Sequence, residues 1–187
     1  MTDPRPSGQT KREGEPIDLA AELATLFREH YGYVWQTLLR LGVPARDVED
    51  VAHQTFLVVH QKLAGCDRSR PMRPWLFGIA YRVALAHRRL AHHRREVLSF
   101  PSEPATDEPS PSDRLEATEA RSLFLRAMET LVPEQRAVLV MHDIDGHTMP
   151  EIATTLEVPL NTAYSRLRLA RRQLAHAVRS LRAGGAQ

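Results

Sequence analysis

An all-α protein of two small helical domains is what the sequence predicts, and three observations predict it. Apolar residues recur at helical spacing in every patterned stretch, and the strict alternation of a half-buried strand occurs nowhere. Helix start and stop residues bound these stretches. Between residues 97 and 113 the periodicity fails in a run containing SFPSEPATDEPSPSD, whose Pro, Ser and acidic residues cannot bury a core and read as a flexible, extended linker. The expected organisation is a disordered tail over 1–16, a first domain over 17–96, the linker over 97–113 and a second domain over 114–187.

The elements are taken in chain order. Asp18 is suited to cap a helix in which Leu19, Leu23, Leu26, Phe27, Tyr31, Val34, Leu38 and Leu41 recur until Gly42, as one long helix or two nearly collinear ones. A second helix is expected from Ala45 to Leu63. It carries Asp47, Glu49 and Asp50 in its first turns and Val51, Thr55, Val58 and Val59 on one face, and Gly65 comes after it. A third should run from near Pro74 to about Glu96 with the stripe Leu76, Ile79, Ala80, Val83 and Leu90. Beyond the linker, helices are expected at Asp113 to Leu131 and at Pro133 to Asp145, the latter opening with Pro in a permitted first-turn position and ending at Gly146. A short helix, a tight break and a longer helix complete the chain.

Composition narrows the function. The chain has 187 residues and a formal net charge of +2, which hides a segregation of sign. No acid occurs between Arg68 and Arg95, the charged residues from Glu103 to Glu119 are mostly acidic, and no acid occurs after Glu157. Cys66 is the single cysteine, which excludes an internal disulfide and a cysteine-built zinc site and fits a reducing cytoplasm. The polar N-terminus lacks an apolar signal core, and no run approaches the roughly 20 apolar residues of a membrane span, so a soluble cytoplasmic protein with no membrane attachment is expected. His53 and His60 share a helix face and His142, Asp143, Asp145 and His147 cluster, but without metal-motif spacing, so no metal is expected. Neither a Gly-rich phosphate loop nor a nucleophile elbow occurs. No catalytic residue and no cofactor are therefore expected.

The basic tail carries the sharpest signal. Thr148 with Glu151 three residues on is a capping box, and Ile152, Ala153 and Leu156 give the short helix its buried face. EVPL then breaks it, and Asn161 is suited to cap the next helix. Ala163, Leu167, Ala170, Leu174 and Val178 form one stripe there, so Thr162, Tyr164, Ser165, Arg166 and Arg168 face elsewhere. This is a helix-turn-helix, whose second helix presents its first turns to base edges in the major groove. Arg166 is the candidate base contact, and Arg171 and Arg172, further along, are candidate phosphate contacts.

The first half narrows the class. DVEDVAHQTFLVVHQKL and, after it, RPWLFGIAYRVALAHRR resemble the central segments of domain 2 of bacterial sigma factors, and LVPEQRAVLVMHDIDGHTMPEIATTLEVPLNTAYSRLRLAR resembles their domain 4. With only a short linker between them, the pair resembles the extracytoplasmic-function (ECF) group of the sigma-70 family. The resemblance implies core RNA polymerase and promoter DNA as partners, and an anti-sigma factor as a further one. It implies core-polymerase contacts at Glu49, Asp50, Gln54 and Phe56, although acids near a helix start also serve the helix dipole. It implies that the segment 73–95 opens and reads the minus-10 element through Arg73, Trp75, Tyr81, Arg82, Arg88 and Arg89. Melted strands need a positive groove, which Arg82, Arg88, Arg89, Arg94 and Arg95 supply, and stacking platforms; Trp75, Phe77 and Tyr81 are the aromatic candidates, but a Trp in an apolar segment is more often core. It implies minus-35 recognition by Thr162, Tyr164, Ser165, Arg166, Arg168, Arg171 and Arg172. Arg82 stands where Asn is common in the family, and Ala86 where Asp is. The acidic linker reads either as a solvated spacer or as a segment occupying the transcript's path. The competing classes are a stand-alone helix-turn-helix transcriptional regulator, which would bind a palindrome as a dimer, and a helical protein-interaction module.

Overall fold

A computed structural model describes residues 19–98 and 115–184. The expected tail, the cap at Asp18 and the linker from Ser99 to Asp113, with Glu103, Asp107 and Glu108, lie outside the described residues, as do the side chains of Arg94 and Arg95. The described residues are helical throughout, in the order α1 (Leu19–Arg40), α2 (Ala45–Leu63), α3 (Met72–Leu98), α4 (Leu115–Glu129), α5 (Pro133–Leu139), α6 (Met149–Leu156) and α7 (Leu160–Gly184).

The first three helices pack on one another around Val34, Leu38, Val48, Val51, Val59, Leu63, Leu76 and Phe77, all at most 2% exposed. Helix α1 is a single element, and α2 has the bounds that the apolar spacing and Gly65 imply. Helix α3 begins two residues before Pro74, and Leu90 leaves its expected stripe: it is 62% exposed, outside the packed core, while Leu76, Ile79 and Ala80 of the same stripe are buried. Gly42 ends α1 at φ 86°, with its own N–H on Leu39 O (3.0 Å) and the Val43 N–H on Leu38 O (3.0 Å). That is the pair of bonds with which a left-handed residue closes a helix end.

In the second group α4, α5 and α6 all pack on α7. The helix expected to end at Asp145 instead changes pitch: Val140–Ile144 forms a π turn, closed by the Asp145 N–H bonding Val140 O at 3.0 Å. Met141 within it is fully buried, so the wider turn keeps the apolar side chains seated while shifting the direction in which the chain leaves the helix. The two groups touch through α3 and α6, and one continuous set of buried side chains runs through both.

Candidate nucleic-acid interface

The helix-turn-helix is built as the residue pattern requires. Thr148 donates its backbone N–H to Glu151 Oε2 at 2.8 Å, and the same carboxylate accepts the Thr148 hydroxyl at 2.8 Å. These bonds hold the Glu151 carboxyl below its usual range, the backbone bond being the larger cause. Ile152 and Ala153 are buried. The turn closes with Glu157 in the left-handed region at φ 56°, the Val158 N–H bonding Ala153 O (3.0 Å) and the Glu157 N–H bonding Thr154 O (3.3 Å). Asn161 does not cap α7. Pro159 supplies the carbonyl that accepts the Thr162 and Ala163 N–H groups (2.9 and 3.1 Å), so the helix starts at Leu160 and Asn161 lies inside its first turn.

Helix α7 buries Ala163, Leu167, Ala170 and Ala177, with Leu174 and Val178 at the margin. Tyr164 is 53% exposed, and Arg168 and Arg172 are also exposed; Thr162, Ser165 and Arg166 are partly covered. The Ser165 hydroxyl bonds Thr162 O at 2.9 Å. Arg171 is engaged within its own half: its Nε donates to Asp143 Oδ2 at 2.9 Å, and Nη2 approaches His142 Nδ1 at 3.2 Å. That guanidinium is the main cause holding the Asp143 carboxyl below its usual range. The residue read as a phosphate contact thus braces the recognition helix against the π turn.

The basic face of α3 is the second cationic surface. Arg88 and Arg89 are exposed, and Tyr81 and Trp75 are half-buried. Phe77, expected as a stacking candidate, is fully buried, because its position in the apolar period points into the bundle. Burial raises the Tyr81 hydroxyl's pKa, and Glu134 raises it further, while Arg166, Arg82 and Arg89 oppose the shift. Arg73 lies over the Tyr33 ring, 5.3 Å from its centroid. Arg82 donates to Gly78 O at 2.9 Å on its own helix, to Thr155 O at 3.4 Å, and to the Glu157 carboxylate of the helix-turn-helix. Sequence spacing gave no sign of that partner, 75 residues away.

On α2, Glu49, Asp50 and Gln54 are exposed on one side. Phe56 is turned inward at 5% exposure, 4.8 Å from Phe27 between ring centroids, and so supports the outer face rather than forming it. Its neighbour Leu57, 63% exposed, is the apolar residue actually presented there, and the sequence pattern did not single it out. Among the described residues no cluster of three His, Cys, Asp or Glu is placed to hold a metal ion, and no helix is long and apolar enough to cross a membrane.

An all-helical chain carrying a helix-turn-helix and a separate arginine-rich helix defines a DNA-binding regulatory protein, and comparison with known proteins gives the class its name. The sigma-70 region 2 family matches residues 26–95 and the sigma-70 region 4 family residues 121–174. The ECF RNA polymerase sigma factor SigL of Mycobacterium tuberculosis is 35% identical over 157 residues, 83% of this chain and 88% of that protein. The RNA polymerase sigma factor NccH of Alcaligenes xylosoxydans xylosoxydans is 26% identical over 182 residues, covering 93% and 95%. Among solved structures, the sigma factor RpoE in complex with the anti-sigma factor NepR from Bartonella quintana superposes with a TM-score of 0.71 at 16% identity, over 84% of this chain and 97% of that one. CnrH, solved in complex with the cytosolic domain of CnrY, superposes with a TM-score of 0.59 at 26% identity, over 87% and 96%. The chain belongs to the ECF group of the sigma-70 family and is a sigma factor directing transcription. The stand-alone regulator is not favoured, since that class does not account for the region 2 match.

Proposed function

We propose that this factor binds core RNA polymerase through the outer face of α2, opens and reads the minus-10 element with α3, and reads the minus-35 element with α7. The observation that carries the reading is the pairing in one chain of an arginine-rich helix matching region 2 with a helix-turn-helix matching region 4. On α2, Glu49, Asp50 and Gln54 supply polar contacts around Leu57, with Phe56 behind them. Arg88, Arg89 and Tyr81 offer a melted strand the positive groove and the ring it requires. Arg166, near the start of α7, is the base-reading residue, with Tyr164, Arg168 and Thr162 beside it and Arg172 on the phosphates. In this reading residues 17–96 form the first domain, ending two residues before the end of α3 at Leu98, residues 114–187 form the second, opening one residue before α4, and 97–113 is their tether.

The protein performs no chemistry of its own in this reading; the polymerase does, in the cytoplasm. Two modest contacts fixed at a set separation by the core become one strong one, since the second forms nearly intramolecularly. An anti-sigma factor is the expected antagonist, as RpoE was solved in complex with the anti-sigma factor NepR, and CnrH in complex with the cytosolic domain of CnrY. The test is run-off transcription from a promoter library with purified bacterial core, with and without this protein. Specific transcripts that need both components are expected. Tight palindromic duplex binding by the free protein as a dimer, with no core-dependent transcript, would overturn the assignment.

A further inference from the structure

A cleft of about 860 Å³ lies between α3 and α6. Its walls meet where Gly78 approaches α6 so closely that a Cβ placed on it would sit 3.2 Å from Thr155 Cγ2. Small-molecule sites commonly enclose roughly 300–1,000 Å³, so the cleft is large enough to take a whole ligand.

The two walls differ in chemistry. Lys62 near the end of α2, Arg70 in the turn before α3, and Arg82 bring three cations to one side, with the half-buried Trp75 among them. Lys62 has no ion pair among the described residues. The pair of Arg70 with Asp67, at 3.1 Å, is exposed at both ends and yields readily to a stronger anion. The α6 wall carries Glu151 and Glu157. Glu151 spends Oε2 on the cap of α6, and Glu157 spends Oε1 on Arg82. Glu151 Oε1 and Glu157 Oε2 accept no hydrogen bond among the described residues.

We propose that the cleft binds a free guanine nucleotide bearing a di- or triphosphate: the base stacks on Trp75, Lys62 and Arg70 meet the phosphates, and the base edge faces the α6 carboxylates. A ring beside cations is what any nucleotide requires, so the opposite wall chooses the base. Guanine presents N1–H and its N2 amino group side by side, two donors that one carboxylate accepts together. Adenine presents a single amino group beside the N1 lone pair, which a carboxylate repels. Several phosphate oxygens satisfy two cations better than one does. A continuous strand fits poorly, because it must enter and leave between walls that meet at Gly78. The site stands on the cleft alone, and only its consequence for initiation rests on the sigma-factor reading. Trp75 and Arg82 also belong to the face assigned to the melted strand, so nucleotide and strand exclude each other, and each lowers the affinity of the other.

Equilibrium dialysis of the full chain, without polymerase or promoter, tests the site with GDP, ADP and oligothymidylate as probes. GDP should bind saturably and about fivefold more tightly than ADP. It should quench the tryptophan emission of the unmodified chain but not that of Trp75→Phe, in which the ring still stacks and Trp35 is the one remaining emitter. Lys62→Ala with Arg70→Ala, both at exposed positions, should weaken GDP by about tenfold. Glu151→Gln with Glu157→Gln, which keeps a residue able to close the capping box, should bring GDP and ADP to equal affinity. Absence of saturable GDP binding overturns the proposal, as does GDP binding that survives loss of both cations or a guanine preference that survives loss of both carboxylates. Tighter binding of oligothymidylate than of GDP makes the cleft a strand site and overturns it too. None of these outcomes depends on the sigma-factor assignment, which stands or falls on run-off transcription.

Discussion

Helices α1 and α6 end in the same way, one at Gly42 and the other at Glu157, and the comparison shows how one closing geometry yields two unlike contacts between the halves. Both residues are left-handed, and the residue after each has an N–H that reaches back five positions. Each receives an arginine from the opposite half of the molecule: Arg136 lies on Gly42, and Arg82 meets Glu157. At the first turn the chain uses the residue without a side chain, and a guanidinium fills the vacated space. At the second it accepts a backbone conformation that costs a non-glycine residue about 1 kcal/mol, and in return a carboxylate projects toward α3. The first arrangement is sealed from solvent, and the second is open to it. The two ends of one interface are therefore unequal in strength.

Substitution can break that symmetry. Gly42→Ala should have the largest effect, about 3 kcal/mol of lost stability in urea unfolding, from the left-handed penalty together with displacement of the buried guanidinium. Adding Arg136→Met should recover the displacement part only; full recovery would mean that φ at residue 42 contributes nothing. Glu157→Gly should act in the opposite sense, raising unfolding stability by about 0.5–1 kcal/mol as the strain is relieved and only an exposed ion pair is lost. A destabilised variant would show that the pair with Arg82 outweighs the strain.

The smallest effects test the arginines of α7. Arg171→Ala should cost about 0.5 kcal/mol of stability through loss of the half-exposed pair with Asp143, leaving the salt dependence of duplex binding unchanged. Arg172→Ala should leave stability intact and lower the salt slope by about 1. Equal slopes for the two variants would return Arg171 to the phosphate contacts.

Legibility in the sequence depended on the range of the interactions. The bounds of α2, the capping box of Thr148 and Glu151 and the stripe Ala163, Leu167 and Ala170 are set by neighbours within one or two turns, and periodicity and capping chemistry state them directly. Asn161 misled because two candidates for one job stood close together: the backbone carbonyl of Pro159 took the role that composition assigned to a side chain. Leu90 misled because a period says which face a residue occupies, not whether anything covers that face. Phe56 and Leu57 are adjacent and both apolar, and only packing against Phe27 decides which turns inward. The partners of Arg82 and Arg171 lie 75 and 28 residues away, so no local pattern could supply them. Segregated charge pointed to an anion as the partner of the arginines, but gave no sign of which of them meet carboxylates within the chain.

The π turn at Val140–Ile144 bears on how this fold tolerates changes in length. An α-helix rotates about 100° per residue, so one residue removed from the middle of α2 would swing half of its apolar face into water. The stretch ending at Asp145 already holds one residue more than a regular helix of its span requires. A chain shorter by one at this point can close as an ordinary helix, keeping Val138 and Leu139 in the core and the helix-turn-helix beyond Gly146. What it loses is the placement of Asp145 against Tyr33 and Arg40. Single-residue deletions here would thus be inherited as changes in the grip between the halves, with each half still folded.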